Sequence, residues 1–428
     1  MPTRHPPATA RASAVAGSAV RWFRSRCAPL AYPAYRRYWT GRVLSAAGSA
    51  TSPVAVAFAV LHRGGSAAEL SWVLIANVAA QILFLLVGGV FADRMRRGRI
   101  LVVANLLAGG TQGCAGLLVL TGQVQVWQLV MASFVSGTAE AFIGPAAQGT
   151  AANLLPAPLV REGTALMRLS FNLCKTAGPA LGGVTVALVG AGWAIVWDAG
   201  TFLAAAVILS SLPAAAARVR KGRFAVQLWE GLREFAARPR LWVLVVQISC
   251  AVLGWLVGFP LLGPIYAGQR LGGPVAWGDI AAGYAAGLLA GSLITLAWRP
   301  RRVGMVVSLS LASMAVPLVA MATGAELPVV VASAVLTGAG LDIGIQTYMA
   351  YLQSCVPDRL LARMTSLSAL GQLLPVPFGY LVAGRFTDAV GIGPMLAGCI
   401  GVILLSAVGP PLFLRETRRL RIAGERER

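Results

Sequence analysis

The sequence predicts an all-α membrane protein of twelve transmembrane helices, arranged as two pseudo-symmetric six-helix bundles. Three observations carry this. The 428 residues are 57% hydrophobic and only 12% charged, with a mean hydropathy of +0.72, whereas a soluble chain carries roughly twice that charged fraction. Twelve stretches supply the about 20 largely apolar residues that a spanning helix needs. One long polar stretch between Leu212 and Leu241 divides them into six and six.

In chain order the predicted spans are 39–61, 70–92, 100–120, 126–149, 164–189, 193–212, 241–267, 277–298, 303–323, 328–352, 365–386 and 391–414. Residues 1–35 are rich in Arg, Ala and Pro, hold no acid, and read as a disordered basic tail. The first bundle then occupies 36–212, a linker 213–240, the second bundle 241–414 and a second basic tail 415–428. Within the linker, 226–236 has the apolar spacing of a short interfacial helix. The halves echo each other. His62-Arg63-Gly64-Gly65 follows the first helix as Arg270-Leu271-Gly272-Gly273 follows the seventh, and Gly137 to Pro156 has the separation of Gly338 to Pro357. Parallel repeats of this kind place a substrate site between the halves, near the midplane.

The net charge of +21 invites a nucleic-acid reading, but the positions of the bases argue against one. With the N-terminus inside, 30 of the 36 Lys and Arg fall on the side of the termini. Only Arg63, Arg270 and Arg385 fall opposite, and Arg42, Arg168 and Lys175 lie within helices. That asymmetry predicts a multi-pass protein of the inner (plasma) membrane with both termini cytoplasmic. The surplus meets anionic headgroups, so membrane lipids, not nucleic acid, are the expected partners. Six scattered cysteines form no CxxC, and the histidines are His5 and His62 alone. No GxxxxGK[ST] phosphate loop is present. No metal, cofactor, ATP-driven step or enzymatic centre is therefore expected.

An ionisable side chain in hydrocarbon costs ~2.5–3.5 kcal/mol on insertion scales, which makes each one a functional candidate. Glu140 in the fourth helix and Lys175 in the fifth both lie ~15 Å from the cytoplasmic ends of their helices, so they can face one another as charge partners. Asp342 in the tenth helix has no base at its depth and heads a polar stripe with Gln346. An unpaired acid of that kind suits reversible protonation, so Asp342 is the first candidate proton-coupling residue and Glu140, for which Lys175 can serve as a structural ion-pair partner, the second. Asp198 stands nearer the outer end of the sixth helix, where capping or packing is expected. Arg42 and Arg168 are close enough to the inner face to snorkel. Asn77, Gln81, Asn172 and Gln346 are the candidate polar lining of a cavity otherwise rich in aliphatics. Trp72, Trp127, Trp193 and Trp277 sit near outer helix ends and read as interfacial anchors.

Gly89-Val-Phe-Ala-Asp93-Arg94-Met-Arg96-Arg97-Gly-Arg99 after the second helix resembles the GxxxDRxxRR signature of the major facilitator superfamily. The resemblance implies that superfamily's twelve-helix fold and a cytoplasmic latch of Gly89, Asp93, Arg94 and Arg97, formed and broken during alternating access. In physical terms, Asp93 can accept bonds from a neighbouring helix N-terminus. The second-half counterpart, Trp298 to Arg302, lacks the acid, so any latch is asymmetric. Gly178-Pro179-Ala-Leu-Gly182-Gly183 resembles the core of the helix-five motif of proton-driven exporters, with the proline as a kink and the glycines as a packing groove. Together with Pro145-Ala146, Leu155-Pro156, Ser170-Phe171-Asn172, Lys175 and Asp198-Ala199, these residues resemble the macrolide-efflux and enterobactin-exporter branch, the third drug:proton antiporter family.

The expected function is a secondary active transporter, monomeric, that exports a hydrophobic or amphipathic small molecule of drug, natural-product or siderophore type by proton antiport. The alternatives are an importer or facilitator on the same fold, and a membrane receptor or assembly protein that does not transport.

Overall fold

The computed structural model describes residues 28–94, 96–212, 239–298, 302–355 and 368–413. Among them there are no strands. The first half holds α1 (Pro33–Leu61), α2 (Ala67–Arg94), α3 (Arg97–Leu120), α4 (Val126–Leu154), α5 (Val160–Val189) and α6 (Ala191–Ser210). The second half opens with α7, which runs as Pro239–Leu256 and continues through Val257–Leu261, Leu262–Tyr266 and Ala267–Leu271. It is followed by α8 (Pro274–Ala297) and by α9, made of Val303–Ser313 and Ala315–Ala322 joined at Met314. The last three are α10 (Leu327–Cys355), α11 (Val376–Val390, preceded by helical residues 368–373) and α12 (Ile392–Phe413). Each predicted span is occupied by one of these twelve helices. The face that carries residues 28 and 413 is called the near face below, and the face that carries the short loops after the odd-numbered helices is the far face.

Nine of the helices are apolar and long enough among the described residues to cross a membrane, all but α5, α8 and α11. Those three, together with α2, are the helices through which the halves meet: α2 packs on α11 and α5 on α8. A helix that packs on protein over much of its surface can carry glycine and polar residues that a lipid-facing helix cannot. Lipid-facing positions are filled instead by exposed side chains such as Leu83, Leu117, Leu188, Leu309, Phe378 and Leu405.

The duplication is visible in the backbone. Three pairs of far-face glycines have positive φ at matching turns: Gly64 and Gly272 (+78° and +94°), Gly122 and Gly324 (+70° and +73°), Gly190 and Gly391 (+90° and +86°). An L side chain is disfavoured there, so glycine is the residue these tight reversals take. The packing repeats as well. Gly137 of α4 backs onto the Asn77 carbonyl of α2, and Gly338 of α10 backs onto the Tyr284 carbonyl of α8.

Two details depart from the sequence reading. The basic tail was expected to reach residue 35, yet a short turn spans Ala28–Ala31 and α1 begins at Pro33. Proline at the first helical position has no N–H to leave unsatisfied, and Tyr35 is fully buried with its hydroxyl donating to the Gly163 carbonyl at 2.6 Å. That long-range bond draws the helix start forward. The second detail is α7, which widens into π-helical turns at Val257–Leu261 and Ala267–Leu271, the first around Pro260. A proline cannot donate to the helix ladder, and a wider turn accommodates the missing bond. The linker 213–238 and the tail 414–428 lie outside the described residues.

Candidate functional site: a cavity between the halves

A cavity of about 830 Å³ lies between the two halves, walled by residues of α1 to α6 on one side and of α7 and α8 on the other. Its lining is dominated by small and apolar side chains, with five aromatics: Phe171, Phe202, Phe259, Trp277 and Tyr284. Four ionisable groups line it: Arg42, Glu140, Lys175 and Asp198, every one from the first half. The two walls thus differ in chemistry. The first half supplies charge, and the second supplies a packed aromatic cluster. Trp255 stacks on Phe259 with ring centroids 4.3 Å apart and an interplanar angle of 12°. Phe259 in turn meets Trp277 at 4.8 Å and Tyr284 at 5.4 Å.

Glu140 faces the open space, and Gln81 of α2 donates to its Oε2 at 3.0 Å. The same Gln81 amide donates to the Asn77 side chain at 2.7 Å, and Asn77 donates to the Ser133 carbonyl of α4 at 3.3 Å. One turn separates Asn77 from Gln81, so both reach α4 from a single face of α2. Lys175 lines the same cavity, but no ion pair joins it to Glu140 among the described residues. The expected charge partners share a cavity without closing a salt bridge, because α5 packs mainly on α1 and α8.

Asp198 is only 1% exposed. Gln112 of α3 bridges it to α1, approaching Asp198 Oδ2 at 3.5 Å and Ser52 Oγ at 3.4 Å. Its other oxygen, Oδ1, has no hydrogen-bond partner among the described residues. The close seat depends on Gly48, where an added Cβ would stand 2.8 Å from Oδ1. Capping or packing near the outer end of the sixth helix was expected of Asp198; the structure buries it inside the first half, where it also lines the cavity.

Asp342 is elsewhere. It is not among the lining residues; it sits half-buried between α10 and α8, where Ser292 donates to its Oδ2 at 2.9 Å. Gln346 is exposed one turn along and does not line the cavity, nor does Asn172. The reason for Asn172 is helical phase: Phe171 and Lys175, four apart, face inward, and the next residue after Phe171 is turned away by about 100°. Gly89, Asp93 and Arg94 fall on the last turns of α2, and their side chains lie outside the described part; Arg97 opens α3.

Two assignments change. Arg42, expected to snorkel to the inner face, lines the cavity with its guanidinium carbon 5.2 Å from the Phe171 ring centroid. Trp277, expected as an interfacial anchor, is 4% exposed and belongs to the cavity wall, whereas Trp72, Trp127 and Trp193 are exposed near the far face. The Gly272-Gly273 turn explains Trp277: it starts α8 close to α7, so the indole packs against Gly263. The aromatic cluster was not picked out from sequence, although Trp255 and Phe259, four apart, and the flanking prolines Pro260 and Pro264 were its visible trace.

Toward the far face the cavity is shut by close contacts between the halves. An added Cβ on Gly183 of α5 would lie 2.5 Å from the Pro274 carbonyl of α8, and one on Gly278 would lie 2.7 Å from the Pro179 carbonyl. The matching contact of α11 with α2 brings Gly384 onto Ser71 and Ala68. A second, smaller cavity of about 580 Å³ opens beyond this closure, lined by residues including His62, Ser66, Gln269 and Asp388.

Comparison with known proteins agrees with this architecture. The family described as transmembrane secretion effector matches residues 24–422. The multidrug efflux pump Tap of Mycobacterium tuberculosis is 29% identical over 82% of this chain and 86% of its own length. Macrolide efflux protein A of Streptococcus pyogenes is 21% identical over 89% of this chain and 96% of its own. Among solved structures, the nucleoside transporter NupG superposes with a TM-score of 0.71 at 9% identity, over 88% of this chain and 98% of that one. The peptide transporter POT superposes at 0.71 and 11% identity, over 91% and 96%. At those identities the likeness is one of fold.

Proposed function

The chain belongs to the transmembrane secretion effector family of the major facilitator superfamily, and we propose that it exports an amphipathic small molecule in exchange for protons. The observation that carries the proposal is the cavity itself, apolar and aromatic over most of its wall yet lined by Glu140, Lys175 and Asp198. A site of this kind holds a lipophilic body by area and orients it with a few polar groups. The names of the relatives, multidrug and macrolide efflux pumps, support the same substrate class and direction.

The proton is carried on Glu140. It faces the substrate space, and Gln81 holds one of its oxygens. Substrate and proton therefore meet at one place, which is what an exchanger requires: loading of one disfavours the other. Asp198, which lines the same cavity and has an oxygen without a partner among the described residues, is a second place where a proton is held. Asp342 is assigned a supporting role at the α8–α10 contact.

With both termini in the cytoplasm of a plasma membrane, the far face is outside. We read the closure by Gly183, Gly278 and Gly384 on that side as belonging to an inward-facing state, which takes substrate from the cytoplasm. Export follows when the near-face latch at Asp93 closes and the far-face contacts part, a shift between two states that protonation biases.

The test is flux in reconstituted proteoliposomes. A lipophilic fluorescent dye is followed across the bilayer with and without an imposed pH gradient. Dye movement against its own gradient that collapses with a protonophore is expected. Dye movement that is indifferent to the pH gradient removes antiport, and movement only down its own gradient makes the protein a facilitator.

A further inference from the structure

At the far face one side chain ties the two halves together through the end of a helix. Asp388 is on the last turn of α11 in the second half. Its Oδ1 accepts from the Ala67 amide at 3.0 Å and its Oδ2 from the Ala68 amide at 3.3 Å. Ala67 and Ala68 are the first residues of α2 in the first half. The opening amides of a helix have no partner within it, and a carboxylate there gains both hydrogen bonds and the favourable end of the helix dipole. The cap that sequence alone supplies is local: Ser66 and Glu69 bond each other's amides at 3.2 Å. Asp388 adds a cap from 320 residues away.

The surroundings show that this is a seat and not a passing contact. One turn before Asp388, Gly384 lets α11 lie directly on Ser71 and Ala68, and the α2–α11 contact is one of the two main seams between the halves. The pseudo-symmetric seam, α5 on α8, has Gly183 where this one has Gly384, and Ala187 where this one has Asp388. The duplicated seams share the glycine and differ in the acid. The acid is therefore not a requirement of packing α11 on its partner.

We propose that Asp388 is a far-face latch: it holds α2 and α11 together at their far ends and sets how much of the protein rests with the far side closed. Asp93 stands at the opposite end of the same helix, α2. The α2–α11 pair is thus fastened at one end or the other, and each acid weights one of the two states. This rests on the alternating-access reading given above and adds a residue to which no role was assigned.

The experiment measures the distance between the halves directly. Spin labels are placed at Gln123→Cys and Thr323→Cys, exposed positions in far-face turns of the first and second half, in a full-length chain whose six native cysteines are replaced by alanine. The distance distribution is recorded by pulsed dipolar spectroscopy in detergent or nanodiscs, for the wild-type latch and for Asp388→Asn and Asp388→Glu. Asparagine keeps one accepting oxygen but loses the second bond and the charge at the helix end, a loss worth roughly a fivefold change in population. Asp388→Asn is therefore expected to raise the long-distance (far-open) fraction relative to the closed one by roughly fivefold, with Asp388→Glu closer to wild type. A distribution for Asp388→Asn superimposable on wild type overturns the latch, and so does an equal shift in Asp388→Glu, because it would trace to lost packing and not to the carboxylate. Folding is checked by a single symmetric elution peak, and the Asp388→Glu arm keeps the comparison interpretable. Failure of the export reading has a different signature: no dye flux in proteoliposomes, whatever the distances show.

Discussion

Glu140 and Asp342 have the same side-chain chemistry and nearly the same depth in their half-bundles, yet they stand in different surroundings. Glu140 opens to the cavity with one hydrogen bond from Gln81, while Asp342 is held by Ser292 in a helix contact. Glu140→Gln keeps the shape and the bond-forming ability of the side chain, so stability should move by less than about 0.5 kcal/mol, as for a substitution away from a packed core. Proton-coupled export should fall more than about tenfold, a loss of roughly 1.4 kcal/mol of coupling. Asp342→Asn is expected to retain most of the coupling, and paired flux and thermal-shift measurements on both variants check this. Asp198→Leu is expected to lower stability by about 1–3 kcal/mol, since Gln112 loses its acceptor inside the bundle. A melting curve reads that loss. At this scale the sequence was half legible. The cost of charge in hydrocarbon singles out Glu140, Lys175, Asp198 and Asp342 without a structure. Which helix face looks into a cavity is set by tertiary packing, so Arg42 and Trp277 were read as interfacial and Asp342 was placed ahead of Glu140.

Helix α5 shows how one short motif divides its work between neighbours. Gly178 meets Ala50 of α1, and an added Cβ on Gly182 would lie 2.9 Å from the Thr51 carbonyl of the same helix. Gly183, one residue on, faces α8 in the other half. Gly178 and Gly182 therefore serve the fold of the first half, while Gly183 serves the closure between halves. Two outcomes separate these roles. Gly178→Leu overpacks a fixed contact and should cost about 1–3 kcal/mol of stability, read as a lowered melting temperature. Gly183→Val should leave the first half intact but wedge the far-face seam open, read as increased alkylation of a cysteine placed in the cavity by a membrane-impermeant reagent added at the far side. The resemblance of 178–183 to an exporter motif located these glycines in advance. Their division between α1 and α8 depends on phase and on a partner helix about 100 residues away, which no local pattern contains. Pro179 lies inside α5, which spans Val160–Val189, and lines the cavity.

Across the whole molecule, duplication gives two halves with matching turns and matching glycine contacts, and function arises where they stop matching. The charges are in the first half, the aromatic cluster in the second, and the far-face acid Asp388 has an alanine as its counterpart. Twelve helices and their order were legible because each crossing demands its own apolar length. The seams α2–α11 and α5–α8 were not, since their glycines and short polar side chains carry no local mark of a partner in the other half, and α5, α8 and α11 are the helices that fall short of a span's length or apolar character over the described residues. The central claim is that substrate and proton exchange through Glu140. It is tested most directly in inside-out vesicles with an acid interior, by following the internal pH with a quenched fluorophore while a lipophilic antibiotic or dye is added. The account predicts substrate-triggered proton release by wild type and by Asp342→Asn, and none by Glu140→Gln. Release that persists in Glu140→Gln and vanishes in Asp342→Asn would contradict it.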